Sequence, residues 1–180
     1  MTSKSFENEF IEIYDFKGQK TGKKALKSFI HKNGLYHSTV HLWIYTISGE
    51  VLIQKRSLNK ILNPGVWDVS VAGHIHFGET YNEAVIRETL EETQAKAEII
   101  KPYTVISLPH ISQIHVFYLA KLLSDSFGPT NESSEVKLVE ISEIPWDELA
   151  FPTVSMTLKY FVEDSKKDNF EFREEEILLS

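Results

Sequence analysis

The chain has 180 residues, a formal net charge of -7 at pH 7 and no cysteine. That length suits one domain with its own core, the acidic balance argues against a nonspecific nucleic-acid binder, and the missing thiol excludes disulfides, thiolate metal sites and a cysteine nucleophile. A composition of 42% hydrophobic and 25% charged residues is that of a globular protein; without an apolar leader or a run near the ~18 apolar residues of a membrane span, the expectation is a cytoplasmic protein that avoids membranes.

Residues 1–8 are polar, and Phe10 to Tyr14 reads as a short strand of β-favouring residues. Asp15 to Gly22 supplies a turn, and Lys23 to Ile30 fits a short helix or an extended segment equally. Residues 9–30 are thus an N-terminal strand extension to a core of about residues 36–164. His37 to Ile47 and Val51 to Arg56, joined through Ser48-Gly49-Glu50, predict a hairpin. The turn Asn63-Pro64-Gly65 leads into a strand over Val66 to Ala72. A helix is predicted from Thr80, a capping residue with Glu83 three positions on to complete a capping box. Strand character returns from Ala95 through Ile106 and again over Gln113 to Leu122, the two pairing across the Leu108-Pro109-His110 bend. Ser124 to Ser134 is a polar loop of the kind that carries function. Glu135 to Ile141 is a strand, Pro145 to Leu149 a turn or short helix, and Pro152 opens a helix to about Asp164 whose stripe of Val154, Leu158, Phe161 and Val162 faces the sheet. The acidic end, within residues 165–180, is expected to be loosely attached. The N-terminal strand and the hairpin offer edges for a homodimer.

The chemistry concentrates in Gly73 to Ala95, which holds five glutamates and one arginine. On a helix, Glu88, Glu91 and Glu92 share a face with Tyr81, Ala84 and Val85, so a stripe that begins apolar turns acidic without turning to solvent. Like charges at this spacing cost roughly 0.2–0.5 kcal/mol a pair, and the last two sit at the helix end whose dipole disfavours anions. A hard divalent cation is the simplest compensating partner for clustered carboxylates. Lys55, Arg56 and Lys60 form a basic cluster ahead of this stretch; Arg56, ending its strand, is the best candidate of the three to receive phosphate oxygens. Trp67 is a candidate for stacking a substrate ring, although aromatic residues on strands are more often core. His74 and His76 are too few for a zinc site without a further partner, which leaves His74 a substrate-contacting candidate.

Gly73, five residues, Glu79, seven residues, then Arg87-Glu88-Thr89-Leu90-Glu91-Glu92 resembles the Nudix box, the signature of the Nudix hydrolase family. The resemblance implies an α/β (α+β) fold, an α/β/α sandwich around a mixed β-sheet, and hydrolysis of a diphosphate linked to some moiety X, with Mg2+ or Mn2+ as cofactor. Matched residue by residue, it makes Glu88, Glu91 and Glu92 metal ligands, one of which orients or deprotonates the water, with the Gly73 carbonyl a further ligand. Arg87 and Glu79 would pair to hold the loop against the helix. A later-loop glutamate completes such sites, with Glu135 the first candidate and Glu132 the second. The chain departs from the pattern at Thr89, where the family has an aliphatic residue, and at Gln94, where it has a glycine that ends the helix in the left-handed conformation. Leu35 to His74 is also similar to type 1 isopentenyl diphosphate isomerase, in which His37 and His74 match metal-site histidines in placement, but Ala72 stands where that enzyme has its catalytic cysteine. The expected activity is therefore a metal-dependent hydrolase of nucleoside diphosphate-linked or related small diphosphates. An isomerase-like protein and a non-catalytic Nudix-like binding module are the alternatives.

Overall fold

In the computed structural model, which describes residues 9–178, Phe10–Tyr14 (β1) and Lys20–Leu26 (β2) pair antiparallel as a two-stranded sheet, and Lys27–Asn33 (α1) follows. The segment left open between helix and strand is thus both in succession. The other strands are His37–Tyr45 (β3), Val51–Arg56 (β4), Trp67–Asp68 (β5), Val71–His74 (β6), Ala97–Leu108 (β7), Gln113–Leu122 (β8), Ser133–Val139 (β9) and Arg173–Glu176 (β10). Two further helices are Tyr81–Glu92 (α2) and Pro152–Lys167 (α3). The eight strands form one mixed sheet in the order β10-β7-β8-β3-β4-β5, with β6 against β3 and β9 against β4. The β10–β7 and β3–β8 pairs are parallel; the rest are antiparallel.

Strand periodicity divides the core between the two faces. On β3, Val40, Leu42 and Ile44 pack with Ala84 and Val85 of α2, while Trp43 between them packs with Val154, Leu158 and Phe161 of α3. On β4, Leu52 joins the α2 side and Val51 and Ile53 the α3 side. The result is an α/β/α sandwich around a mixed sheet. No helix among the described residues is long and apolar enough to cross a membrane.

Three expectations are corrected. The β3–β4 hairpin is paired only beside its turn, Tyr45 opposite Val51; beyond it the strands splay, β3 running between β8 and β6 and β4 between β9 and β5. The strand expected over Val66 to Ala72 is accordingly two short ones, β5 on β4 and β6 on β3. The acidic end is not loose where it forms β10 on β7: the Arg173 guanidinium donates to both oxygens of the buried Asp164 at 2.7 Å each, and the Tyr103 hydroxyl donates to the same carboxylate at 2.8 Å. The run of glutamates suggested solvation, but Arg173 ahead of them fastens the segment to α3.

Candidate active site

Helix α2 starts where its capping box places it: the Thr80 hydroxyl accepts from the Glu83 amide at 3.2 Å and the Glu83 carboxylate accepts from the Thr80 amide at 2.8 Å. Burying Ala84 and Val85 carries Glu88 and Glu92, on the same face, under the sheet. Glu91 differs from the reading that all three carboxylates lean inward; its side chain is 47% exposed at the rim.

Arg87 organises the loop side. Its Nε and Nη2 donate to the two Glu79 oxygens at 2.8 and 2.9 Å, Nη2 also to the His74 carbonyl at 2.8 Å, and Nη1 to Glu88 at 2.6 Å and Glu91 at 3.0 Å. Glu79 further accepts from the His76 amide at 2.9 Å. Burial lowers the tendency of Arg87 to stay charged, but the Glu79 and Glu88 carboxylates outweigh it and hold the guanidinium protonated. Glu88 lies directly on Gly73: a Cβ built there would stand 1.8 Å from the Glu88 carboxyl carbon, so any side chain at 73 excludes the carboxylate.

Glu92 is 3% exposed, and its Oε2 accepts from the Ala72 amide at 2.7 Å and from Gln54 Nε2 at 2.6 Å. Lys60 Nζ stands 4.0 Å from Glu92 and 3.0 Å from Glu132. Burial pushes the Glu92 carboxyl up to about 8, with the Glu88 and Glu132 charges adding and Lys60 and the Ala72 amide opposing. Burial likewise pushes Glu88 up to about 7 against the pull of Arg87, with Glu91 and Glu132 adding to the rise. Two buried carboxylates that resist ionisation within one helical turn form an oxygen-rich set short of positive charge. That donor chemistry fits a hard divalent cation held by Glu88, Glu92, Glu91 and the Gly73 carbonyl.

The substrate candidates are distributed differently. The Arg56 guanidinium donates to Asp68 at 2.6 Å and to the carbonyls of Leu62 and Asn63 at 3.0–3.1 Å, so it braces the loop after β4. Trp67 is a core residue, 4% exposed, beneath the ammonium groups of Lys55 at 5.3 Å and Lys137 at 4.2 Å. Lys55 therefore lies on the α3 face, opposite Gln54, which points at Glu92. Glu135 is exposed on β9 opposite Lys55, whereas Glu132 faces the carboxylates through Lys60. The His74 imidazole joins His31 and His37 in a trio whose ligand atoms lie within 4.8 Å of one another, and His37 Nε2 is buried with no hydrogen-bond partner.

Sequence reasoning missed Gln54 and His31. Gln54 was detectable as a polar residue in phase with buried Leu52 on a core strand. His31 had no local signal, because only the fold of α1 brings it to β3 and β6.

The sandwich brings a glycine, a Glu–Arg clasp and paired buried helix glutamates together in one carboxylate-lined site. The profile of the NUDIX domain matches residues 35–164, and the chain belongs to the Nudix family. It is similar to Nudix hydrolase 3 of Arabidopsis thaliana, 33% identical over 134 residues that cover 74% of this chain and 16% of that protein. The crystal structure of a NUDIX hydrolase from Nitrosomonas europaea superposes with a TM-score of 0.73 at 30% identity, over 98% of both chains. Kinship extends to an isopentenyl-diphosphate Delta-isomerase of Enterobacter sp., 27% identical over 154 residues, 72% of this chain and 84% of that one. This chain thus spans a small part of the Arabidopsis relative's length.

Proposed function

We propose that this protein is a divalent-metal-dependent diphosphohydrolase acting on a nucleoside diphosphate-linked or related small diphosphate, with Mg2+ or Mn2+ as its ion. The observation that carries the reading is the pair of buried carboxylates, Glu88 and Glu92, kept reluctant to ionise and packed on Gly73 and Ala72. A purely structural helix gains nothing from such a pair, and a binding module has no need of it. When bound, the cation would supply neutralisation of the anionic diphosphate and orientation of water for in-line attack. The chain's own contributions are separable. Arg87 holds Glu88 and the Gly73–Glu79 loop in register. Glu92 is fixed between β6 and β4 by the Ala72 amide and Gln54, with its other oxygen 4.0 Å from Lys60. Glu132 is proposed as the later-loop glutamate of the site in preference to Glu135, because it shares Lys60 with Glu92.

The test is a Mg2+-dependent screen over nucleoside di- and triphosphates, nucleotide sugars, dinucleotides and prenyl diphosphates, reading released phosphate or nucleotide. Release that survives EDTA, or that Glu92→Gln leaves undiminished, sinks the proposal. The histidine trio favours a second reading, an isomerase-type cation site at His31, His37 and His74. Ala72 and the absence of any cysteine oppose it, and formation of dimethylallyl diphosphate from isopentenyl diphosphate is the outcome that would restore it. A homodimer through the N-terminal strand is the weaker partner proposal. Lys20, Lys23 and Lys24 stud β2, and lysines on an exposed strand oppose edge-to-edge pairing.

A further inference from the structure

The last carbonyls of α2 belong to the helix that carries the carboxylates, and they need partners. A glycine-ended helix takes them from its own next turn. Here the loop before β9 and the first residue of that strand supply them. The buried Ser133 hydroxyl donates to the Glu92 carbonyl at 2.6 Å, the Thr130 hydroxyl reaches the same oxygen at 3.4 Å, and the Gly128 amide donates to the Thr93 carbonyl at 2.9 Å. Gln94, held in the left-handed region at φ 55, closes the contact by donating from Nε2 to the Pro129 carbonyl at 3.1 Å. Within the same loop, the Glu132 amide donates to Thr130 Oγ1 at 3.0 Å and its carbonyl accepts from the Ser57 amide at 3.1 Å, so its backbone is fixed at both ends.

We infer that residues 128–133 form a clasp on the end of the catalytic helix, with Gln94 and Ser133 as positioning residues that hold the Glu132 carboxylate beside Glu92. This explains why a residue with a side chain occupies a left-handed position: Gln94 accepts backbone strain of about 1 kcal/mol and in exchange tethers the loop. The inference rests on the metal-site reading above and deepens it, since it names what aims the additional carboxylate.

The test uses the full chain and Mn2+ binding followed by titration calorimetry, with melting temperature alongside. Gln94→Gly relieves the left-handed strain, so its melting temperature holds or rises, while its Mn2+ affinity falls roughly fivefold, as expected for one lost positioning hydrogen bond. Ser133→Ala weakens Mn2+ about tenfold, the usual effect of removing an outer-shell partner, and Ser133→Thr restores it. In a Glu132→Gln background, neither substitution weakens binding further. A merely structural role would move melting temperature and leave affinity alone. Full retention of Mn2+ affinity in Gln94→Gly and Ser133→Ala, or equal losses in the Glu132→Gln background, overturns the clasp and leaves the metal site standing. Absence of Mn2+ binding by the wild-type protein overturns the metal site and the clasp with it.

Discussion

Glu92→Gln separates the chemistry of the site from its stability, because the two should move in opposite directions. The Glu92 carboxyl sits at about 8 against an ordinary 4.5, chiefly through burial. A group raised by folding favours the fold fully below its unfolded value, and that contribution is lost as pH rises through the folded value. In the metal-free protein, ionising Glu92 therefore costs stability between about pH 5 and 8. At about 1.4 kcal/mol per pH unit the limit is roughly 4–5 kcal/mol. Glutamine is isosteric, carries no charge, and its oxygen can still accept from the Ala72 amide and Gln54. Its NH2 group, however, meets Lys60, another donor, so a net gain of ~2 kcal/mol at pH 9 is a reasonable expectation. For a chain of this size that is about 4–8 °C in melting temperature. The assay is a thermal melt in EDTA at pH 5 and pH 9. The variant should match wild type at pH 5 and exceed it at pH 9, while losing both Mg2+-dependent turnover and the Mg2+-induced rise in melting temperature. A variant less stable than wild type at pH 9, or equally shifted at both pH values, would refute the buried-charge argument.

Gly73→Ala places a methyl group 1.8 Å from the Glu88 carboxyl carbon, so Glu88 must leave its seat; turnover should fall at least about 100-fold and the Mg2+-induced thermal shift should disappear. Arg56→Lys removes the forked contacts to Asp68, Leu62 and Asn63, and is expected to cost about 2 kcal/mol in urea unfolding with KM unchanged; a raised KM at unaltered stability would return Arg56 to phosphate binding. Arg173→Ala leaves Asp164 buried without its cation, at a cost of about 3 kcal/mol. The hydrogen bonds from Arg173 and Tyr103 overcome burial and hold the Asp164 carboxyl below its ordinary value. That stability is present above about pH 4 and lost as pH falls further, so the difference between wild type and variant in acid melts should shrink toward pH 2.

What was legible in the residues was local. Thr80 and Glu83 announce the start of α2 because both partners of a capping box lie within one turn, and the spacing of Glu88 and Glu92 fixes their shared face. The left-handed conformation at residue 94 was foreseeable from the glycine that the family has there. What escaped depends on pairing between distant segments. Arg173 and Asp164 meet only because α3 lies against the sheet edge where β10 returns, and no periodicity in an acidic run reveals one arginine's partner. The surroundings of Arg56 and Trp67 have a related cause: residue type suggested phosphate contact for the one, and stacking or core for the other, whereas the choice of face and neighbour belongs to the splay of β4 away from β3.

That splay is what makes room for the site. A continuous β3–β4 ladder would consume the inner edges of both strands and leave no place for the Glu92 carboxylate between them. Here the gap is stitched by side chains: the Ser70 hydroxyl accepts from the Ile44 amide on β3 at 2.9 Å and donates to the Leu52 carbonyl on β4 at 2.5 Å. One step further along, Glu92 takes donors from both banks, Ala72 on β6 and Gln54 on β4. Glu92 thus replaces missing ladder hydrogen bonds through one oxygen while the other lies 4.0 Å from Lys60, so its stabilising contacts and its proposed chemistry belong to the same carboxylate. Substituting Gln54 with Leu isolates this coupling. It removes one donor without touching the helix, so in the metal-free protein the Glu92 carboxyl should titrate still higher and the loss of thermal stability in EDTA should extend further to the basic side; an unmoved profile would show that Gln54 only fills the gap.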